Sequence, residues 1–386
     1  MNKKLILASI LTFIVIIGAI VSIFKWSGDQ ESIQEPTDEQ KNQTEQQEVI
    51  AGGRSVSLIG AGASFLHPQI DYWAKKFSEK HKNVKIDYSP VGSGAGQRQF
   101  LDKLVDYAGS DPPLTGEALR RAREDSRGLI QMPIVAGAVV VVYNIPGLEG
   151  RLRLTGEVIA LIYLGEIERW DDPRIRELNP DLRLPAQPIV AVYRSDASGT
   201  TNIFTQFLLK SSNNLWPKEL VGLSVDWPVA KKGRALGGKG NAGVAEIIAK
   251  TPYSIGYVEY SHAVIAGLPW ALIKNRDGVF VDATPETISA AIAVASPQFP
   301  TSPDEDFSEA WKAVIYAPGK NSYPIASFSF LILYKVYPDP DKAEAIKAFV
   351  KWILTEGHKH MVQGYVALPQ EVREYNLRAL DSIRTN

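Results

Sequence analysis

The stretch P-I-V-A-V-Y-R-S-D-A-S-G-T-T-N-I-F-T-Q-F-L-L-K, Pro188 to Lys210, changes period in its middle. Its first part is a β-branched apolar run of strand length. Its last part places apolar residues at helical spacing. Between them stands R-S-D-A-S-G-T, Arg194 to Thr200. The first turn of a helix has backbone N–H groups without partners and a partial positive charge. An arginine and hydroxyls added there make an anion site. Asp and Ser also favour plain capping turns, so this stretch taken alone leaves both readings open. What it does decide is a strand running through a short turn into a helix, the unit of an α/β fold.

The same unit recurs along the chain. S-V-S-L-I (Ser55–Ile59) leads through G-A-G-A-S into the amphipathic D-Y-W-A-K-K-F-S-E-K (Asp71–Lys80). V-K-I-D-Y-S (Val84–Ser89) leads through G-S-G-A-G into Q-R-Q-F-L-D-K-L (Gln97–Leu104). A-G-A-V-V-V-V-Y-N (Ala136–Asn144) is a β-branched run suited to burial on both faces. Near the end, S-F-S-F-L-I-L-Y-K (Ser327–Lys335) reads as a strand and K-A-E-A-I-K-A-F-V-K-W-I-L (Lys342–Leu354) as an amphipathic helix. Alternating strands and helices predict an α/β architecture with mainly parallel sheets. The length after Ser55 exceeds what one such core usually holds, so two α/β lobes are expected. No internal repeat is visible.

Composition narrows the function classes. The chain has 386 residues, with 42 basic and 43 acidic side chains, which does not suit a general nucleic-acid binder. It has no cysteine. That excludes a disulfide framework, a CxxC zinc site, a thiol nucleophile and a lipid-modified N-terminal Cys. Lys3 and Lys4 precede an uncharged apolar run, Leu5 to Phe24, long enough to span a bilayer. The flanking lysines favour the rest of the chain outside. No small-x-small cleavage site follows, so an uncleaved anchor (residues 1–26) is expected in preference to a cleaved signal. Residues 27–53 are polar and acidic without apolar periodicity and read as a disordered tether; Asn42-Gln43-Thr44 within it is a weak glycosylation sequon.

The turns that could carry chemistry share one grammar: a strand end, then Gly, Ser or Asp, then a helix start. They are Gly60–Phe65, Val91–Gly96, Ala108–Pro112 and Arg194–Thr200. In α/β sheets ligands sit beyond the carboxyl ends of strands. Enzymatic signatures are missing. G-S-G-A-G-Q has Gln97 where the third Gly of a dinucleotide fingerprint belongs, and there is no Walker motif, no G-x-S-x-G elbow and no H-E-x-x-H. His358-x-His360 reads as solvated surface rather than a metal site. Asp111 is unusual, because an anion site normally excludes carboxylates. It makes sense if the anion carries a proton to donate, as phosphate does near neutral pH and sulfate does not. The other reading is that Asp111 caps a helix begun by P-P-L-T-G-E-A-L.

These motifs, together with Q-M-P-I-V-A-G-A-V-V-V-V-Y-N, I-Y-L-G-E-I-E-R-W-D-D-P, G-G-K-G-N-A-G-V-A, S-I-G-Y-V-E-Y and Y-P-I-A-S-F-S-F, resemble in content and order the substrate-binding proteins of phosphate ABC importers, the PstS family, from about Ser55 to Ala367. The resemblance implies a two-lobed periplasmic-binding-protein-like clamshell (type II) that closes on one dehydrated phosphate. It implies lobe one at 54–135 plus 320–386 and lobe two at 136–319, with the chain crossing near Val135–Gly137 and returning near Ala317–Tyr323. By motif, Ala63, Ser64 and Phe65 supply backbone and hydroxyl donors, Ser93 a further hydroxyl and amide, and Asp111 the acceptor for the phosphate proton. Arg194 pairs with the anion, Asp196 holds Arg194, and Ser198, Gly199 and Thr200 cap the anion. Ser64 stands where Thr is usual, and Ala197 where Gly is common. Neither cofactor, metal nor catalytic residue is implied. The implied partners are inorganic phosphate and the permease and ATPase subunits of an importer, with the membrane engaged through the N-terminal helix and no nucleic acid. The implied location is the outer face of the cytoplasmic membrane, anchored or released after cleavage. Another oxyanion, a phosphoester hydrolase on the same scaffold, and a transporter-free sensor or scavenger are the alternatives.

Overall fold

The Ala136–Asn144 run lies within a longer strand, β4 (Ile130–Asn144), whose residues are buried except the last. It is buried on both faces, as the continuous apolar composition requires. β4 is also the strand that joins the rest. Its first part, Ile130 to Ala138, pairs antiparallel with β11 (Ala326–Leu333). Its second part, Val139 to Asn144, pairs antiparallel with β8 (Ser254–Glu259). The computed structural model describes residues 50–295 and 298–385.

The other strands are β1 (Val56–Gly62), β2 (Val84–Ser89), β3 (Tyr107–Ser110), β6 (Val190–Arg194) and β7 (Ala235–Gly238). They complete an eight-stranded sheet of order β2-β1-β3-β11-β4-β8-β6-β7. A smaller three-stranded sheet holds β5 (Arg153–Leu154), β9 (Leu272–Lys274) and β10 (Phe280–Val281). The large sheet is mixed. β2-β1-β3 and β8-β6-β7 are parallel, and the central pairings through β11 and β4 are antiparallel. The expected parallel strands thus form the two outer parts, with β11 and β4 lying between them and β4 pairing with both β11 and β8.

Most predicted elements occur where the pattern placed them. The Lys342–Leu354 pattern lies in the helix Pro340–Thr355, started by Asp339, whose side chain accepts from the amides of Asp341 and Lys342. The Gln97–Leu104 pattern is displaced. Its helix is Ser93–Leu101, beginning just after Gly92, and the chain leaves it at Asp102 and Lys103, the latter in the left-handed region at φ 61°. The folded chain also begins earlier than the tether reading expected. Ile50 and Ala51 are buried, and Asn83 Nδ2 donates to the carbonyls of Ile50 and Arg54. Among the described residues no helix is long and apolar enough to cross a membrane. The Leu5–Phe24 run, the Asn42 sequon and most of the expected tether lie outside the described residues.

For the site, the consequence is geometric. β1, β3 and β6 end at Gly62, Ser110 and Arg194, and β7 ends at Gly238. Three of the turns singled out in the sequence leave from the ends of β1, β3 and β6, and the fourth, Val91–Gly96, follows the end of β2 at Ser89.

Candidate functional site

β6 delivers Arg194, and the helix Gly199–Ser211 begins five positions later. Ser198 is its N-cap and accepts from the Thr201 amide at 3.1 Å. The turn is therefore a capping turn, and the cap leaves something over: the amides of Gly199 and Thr200 meet no acceptor among the described residues. Arg194 is buried. Its Nε and Nη2 donate to the two Asp196 oxygens at 2.8 and 2.6 Å, and Nη1 donates to Thr200 Oγ1 at 3.3 Å. Burial pushes the Asp196 carboxyl up, but the Arg194 guanidinium and the Gly240 amide outweigh it and hold the group below its ordinary range. The Asp196 pair fixes the plane of the fork while leaving N–H groups on Nη1 and Nη2 to serve a ligand.

Two further turns close against this one. Gly92, at φ 90°, places the start of the Ser93 helix so near that a Cβ there would lie 2.5 Å from Asp196 Oδ2. The Gly94 amide donates to the Ala197 carbonyl at 3.0 Å. Gly199 in turn packs against Asp111 Oδ2 and Ser93 Oγ so tightly that any side chain would collide with both. These glycines are present for close approach.

Asp111 does not cap the following helix. That helix is Gly116–Glu124, and Thr115 occupies its N-cap. Asp111 lies instead at the end of β3, where Ser329 Oγ donates to Oδ1 at 3.0 Å, Ser93 Oγ lies 3.4 Å from Oδ2, and the Asp111 amide donates to Ser93 Oγ at 3.2 Å. Desolvation raises its pKa to about 7, with the Glu259 charge adding to the rise and Ser329, Arg194 and Ser93 opposing it.

On the first turn, the Ala63 amide is occupied by the Gly109 carbonyl at 2.9 Å, and its own carbonyl accepts from Tyr88 Oη at 3.0 Å. Ala63 thus has no free donor and positions the turn rather than supplying a bond. The Ser64 and Phe65 amides meet no acceptor among the described residues. Phe65 is fully buried and its carbonyl accepts from Tyr365 Oη.

Sequence reasoning missed several members. Ser329 comes from β11, where a register shift separates it from Phe330; the signal was two serines, Ser327 and Ser329, alternating within an apolar strand. Gly240 and Asn241 come from G-G-K-G-N, which has the same strand-end, glycine and helix-start grammar but was given no role. The Gly240 amide donates to Asp196 Oδ1 at 3.0 Å, and Asn241 Nδ2 lies 3.1 Å from both Ser64 Oγ and Thr200 Oγ1. Behind them Glu259 is buried, facing Ser261, His262 and Tyr365. The His358-x-His360 pair is remote; His358 is half-buried against Arg373 rather than solvated.

The assembly joins hydrogen-bond donors from several turns to the buried Asp111 carboxyl, with the buried Glu259 carboxyl behind. Arg194 is already balanced by Asp196, so an entering anion meets hydrogen-bond donors rather than unpaired positive charge.

A family model described as a PBP superfamily domain matches residues 35–356. The phosphate-binding protein PstS of Methanocaldococcus jannaschii is 41% identical over 339 residues, covering 86% of this chain and 87% of that protein. Its namesake in Pasteurella multocida is 39% identical over 322 residues, covering 82% and 87%. Among solved structures, a high-affinity periplasmic phosphate-binding protein bound with phosphate superposes with a TM-score of 0.66 at 24% identity, covering 84% of this chain and 93% of that one. A DING protein gives a TM-score of 0.68 at 23% identity, covering 83% and 93%. These last two establish the fold.

Proposed function

Because the chain belongs to the PstS family of phosphate-binding proteins within the PBP superfamily, we propose that it captures inorganic phosphate and hands it to the permease and ATPase subunits of an ABC importer, without acting as an enzyme. The observation that supports this reading is Asp111, a buried acceptor held by Ser329 and Ser93 and packed against Gly199 of the Arg194 turn. A tetrahedral anion with a proton satisfies that arrangement. A fully ionised one sets its charge against the carboxylate with no hydrogen bond between them.

In this reading, Arg194 and the amides of Ser64, Phe65, Ser93, Gly199 and Thr200 donate to the phosphate oxygens, joined by the hydroxyls of Ser64, Ser93, Ser198 and Thr200. Ala63 orients its turn and Asp196 holds the guanidinium. Each charge-assisted bond contributes roughly 1.5–3 kcal/mol. Residues 54–135 with 320–386 form one jaw and 136–319 the other, with the chain crossing within β4 near Val135–Gly137 and returning near Ala317–Tyr323, ahead of β11. Phosphate touching both jaws binds the closed form better than the open one and so shifts the population toward closure, which the transporter reads. The Leu5–Phe24 run holds the receptor at the outer face of the cytoplasmic membrane.

Calorimetric titration of the detergent-solubilised full chain tests the reading. Saturable phosphate binding without a sulfate response is expected at pH 8. Heat from sulfate but not phosphate reassigns the site to another oxyanion, and turnover of a chromogenic phosphoester by pure protein revives the hydrolase alternative.

A further inference from the structure

Asn241 is the second residue of the helix Gly240–Lys250 that follows β7, and it is fully buried. Its Oδ1 accepts from the Glu259 amide at 3.0 Å. That bond turns the NH₂ end toward Ser64 and Thr200, which lie on the turns after β1 and β6. Nδ2 is 3.1 Å from each hydroxyl oxygen. An NH₂ group has two protons to give and nothing to accept with.

Each hydroxyl receives a second bond. Ser64 Oγ accepts from the Asn241 backbone amide at 3.1 Å, and Thr200 Oγ1 from Arg194 Nη1 at 3.3 Å. A hydroxyl has two acceptor lone pairs and one proton. With both lone pairs engaged, Ser64 and Thr200 have only a proton to offer.

We propose that Asn241 is a specificity-determining positioning residue, which converts the Ser64 and Thr200 hydroxyls from ambivalent groups into obligate donors. The proposal rests on the phosphate reading and deepens it. Ligand oxygens facing these hydroxyls have to be unprotonated. A phosphate with one proton fits, with that proton on Asp111. A second ligand proton aimed at Ser64 or Thr200 finds no lone pair and is a buried donor left unmet. The turn therefore biases the site toward monohydrogen over dihydrogen phosphate. Since Ser64 and Thr200 lie on separate turns, the same amide ties those turns together on closure.

The test is the ratio of phosphate dissociation constants at pH 5.5 and pH 8, measured by calorimetry on the full chain. In Asn241→Ala the hydroxyls regain free lone pairs and can accept from dihydrogen phosphate. The pH 5.5 to pH 8 ratio is expected to fall by about fivefold or more relative to wild type. The charged and titratable groups facing this region are Arg194, Asp196, Asp111 and Glu259, with His262, Tyr365 and Tyr88 behind them. All are retained in the alanine variant, so their own titration is common to both proteins. Asn241→Asp preserves volume if alanine unfolds the turn. Its carboxylate draws the two hydroxyl protons to itself and repels the dianion most, so the ratio falls here too. A ratio equal to wild type in a variant with wild-type melting temperature overturns the proposal alone. A wild-type protein that does not bind phosphate overturns it together with the reading beneath it.

Discussion

The Arg194 guanidinium grips the Asp196 carboxylate at 2.8 and 2.6 Å, across only two positions of the chain. The Arg194 side chain is 1% exposed and that of Asp196 13%, so this is a desolvated pair. Removing one partner of such a pair leaves a charge stranded. Asp196→Ala is expected to cost the unliganded protein about 3 kcal/mol. Phosphate supplies the missing negative charge, so the rise in melting temperature on adding phosphate is expected to be larger in the variant than in wild type. The Asp196 carboxyl is held below its ordinary range. Its stabilisation is therefore present above the unfolded pKa and fades as pH falls through the folded one. Acid unfolding of Asp196→Ala should show a shallower pH dependence below about pH 4 than wild type.

Asp111 gives the opposite sign. Its pKa is raised to about 7 from an ordinary 3.8, chiefly by burial. The folded state thus binds more protons than the unfolded state between those values, and this group's contribution to stability falls as pH rises through that window. Thermal unfolding of the unliganded protein from pH 4 to pH 8 checks this, and Asp111→Asn is expected to flatten the loss.

The same titration acts on selectivity. Below about pH 7 Asp111 carries a proton and can donate to a fully ionised oxygen. The preference for phosphate over sulfate is expected to be widest at pH 8 and to narrow at pH 5. Asp111→Asn should narrow it at both, as read by competition titration.

Gly199 is a steric control on the proposed closure, because it packs against Asp111 and Ser93. A methyl group there collides with Asp111 Oδ2 and Ser93 Oγ. Gly199→Ala is expected to weaken phosphate binding about 10- to 100-fold, the scale of an overpacking cost. If the jaws open without ligand as proposed, the collision is relieved there, and the unliganded melting temperature is expected hardly to change. Small-angle scattering with saturating phosphate should show less compaction than in wild type.

The Leu5–Phe24 run predicts that the full chain partitions with the membrane fraction. Deleting residues 5–24 should move it to the soluble fraction without changing its phosphate affinity. Loss of affinity on deletion would make the segment part of the folded receptor.

The sequence by itself determined the alternation of strands and helices, because burial periodicity and turn residues are local. Val84–Ser89 was predicted to the residue for that reason. It also determined the local chemistry of the Arg194 turn: Arg194 and Asp196 lie two positions apart and Ser198 and Thr201 three, so the bond within each pair is a short-range one. The tertiary structure alone decided what those turns face. Asp111 read equally well as a helix cap until β11 brought Ser329 to it from 218 positions away. Asn241 reaches Ser64 across 177 positions, with its amide turned toward that hydroxyl by the bond from the Glu259 backbone. The order of strands in the sheet brings these residues together, and that order is set by which apolar faces bury one another over the whole chain rather than by any short stretch.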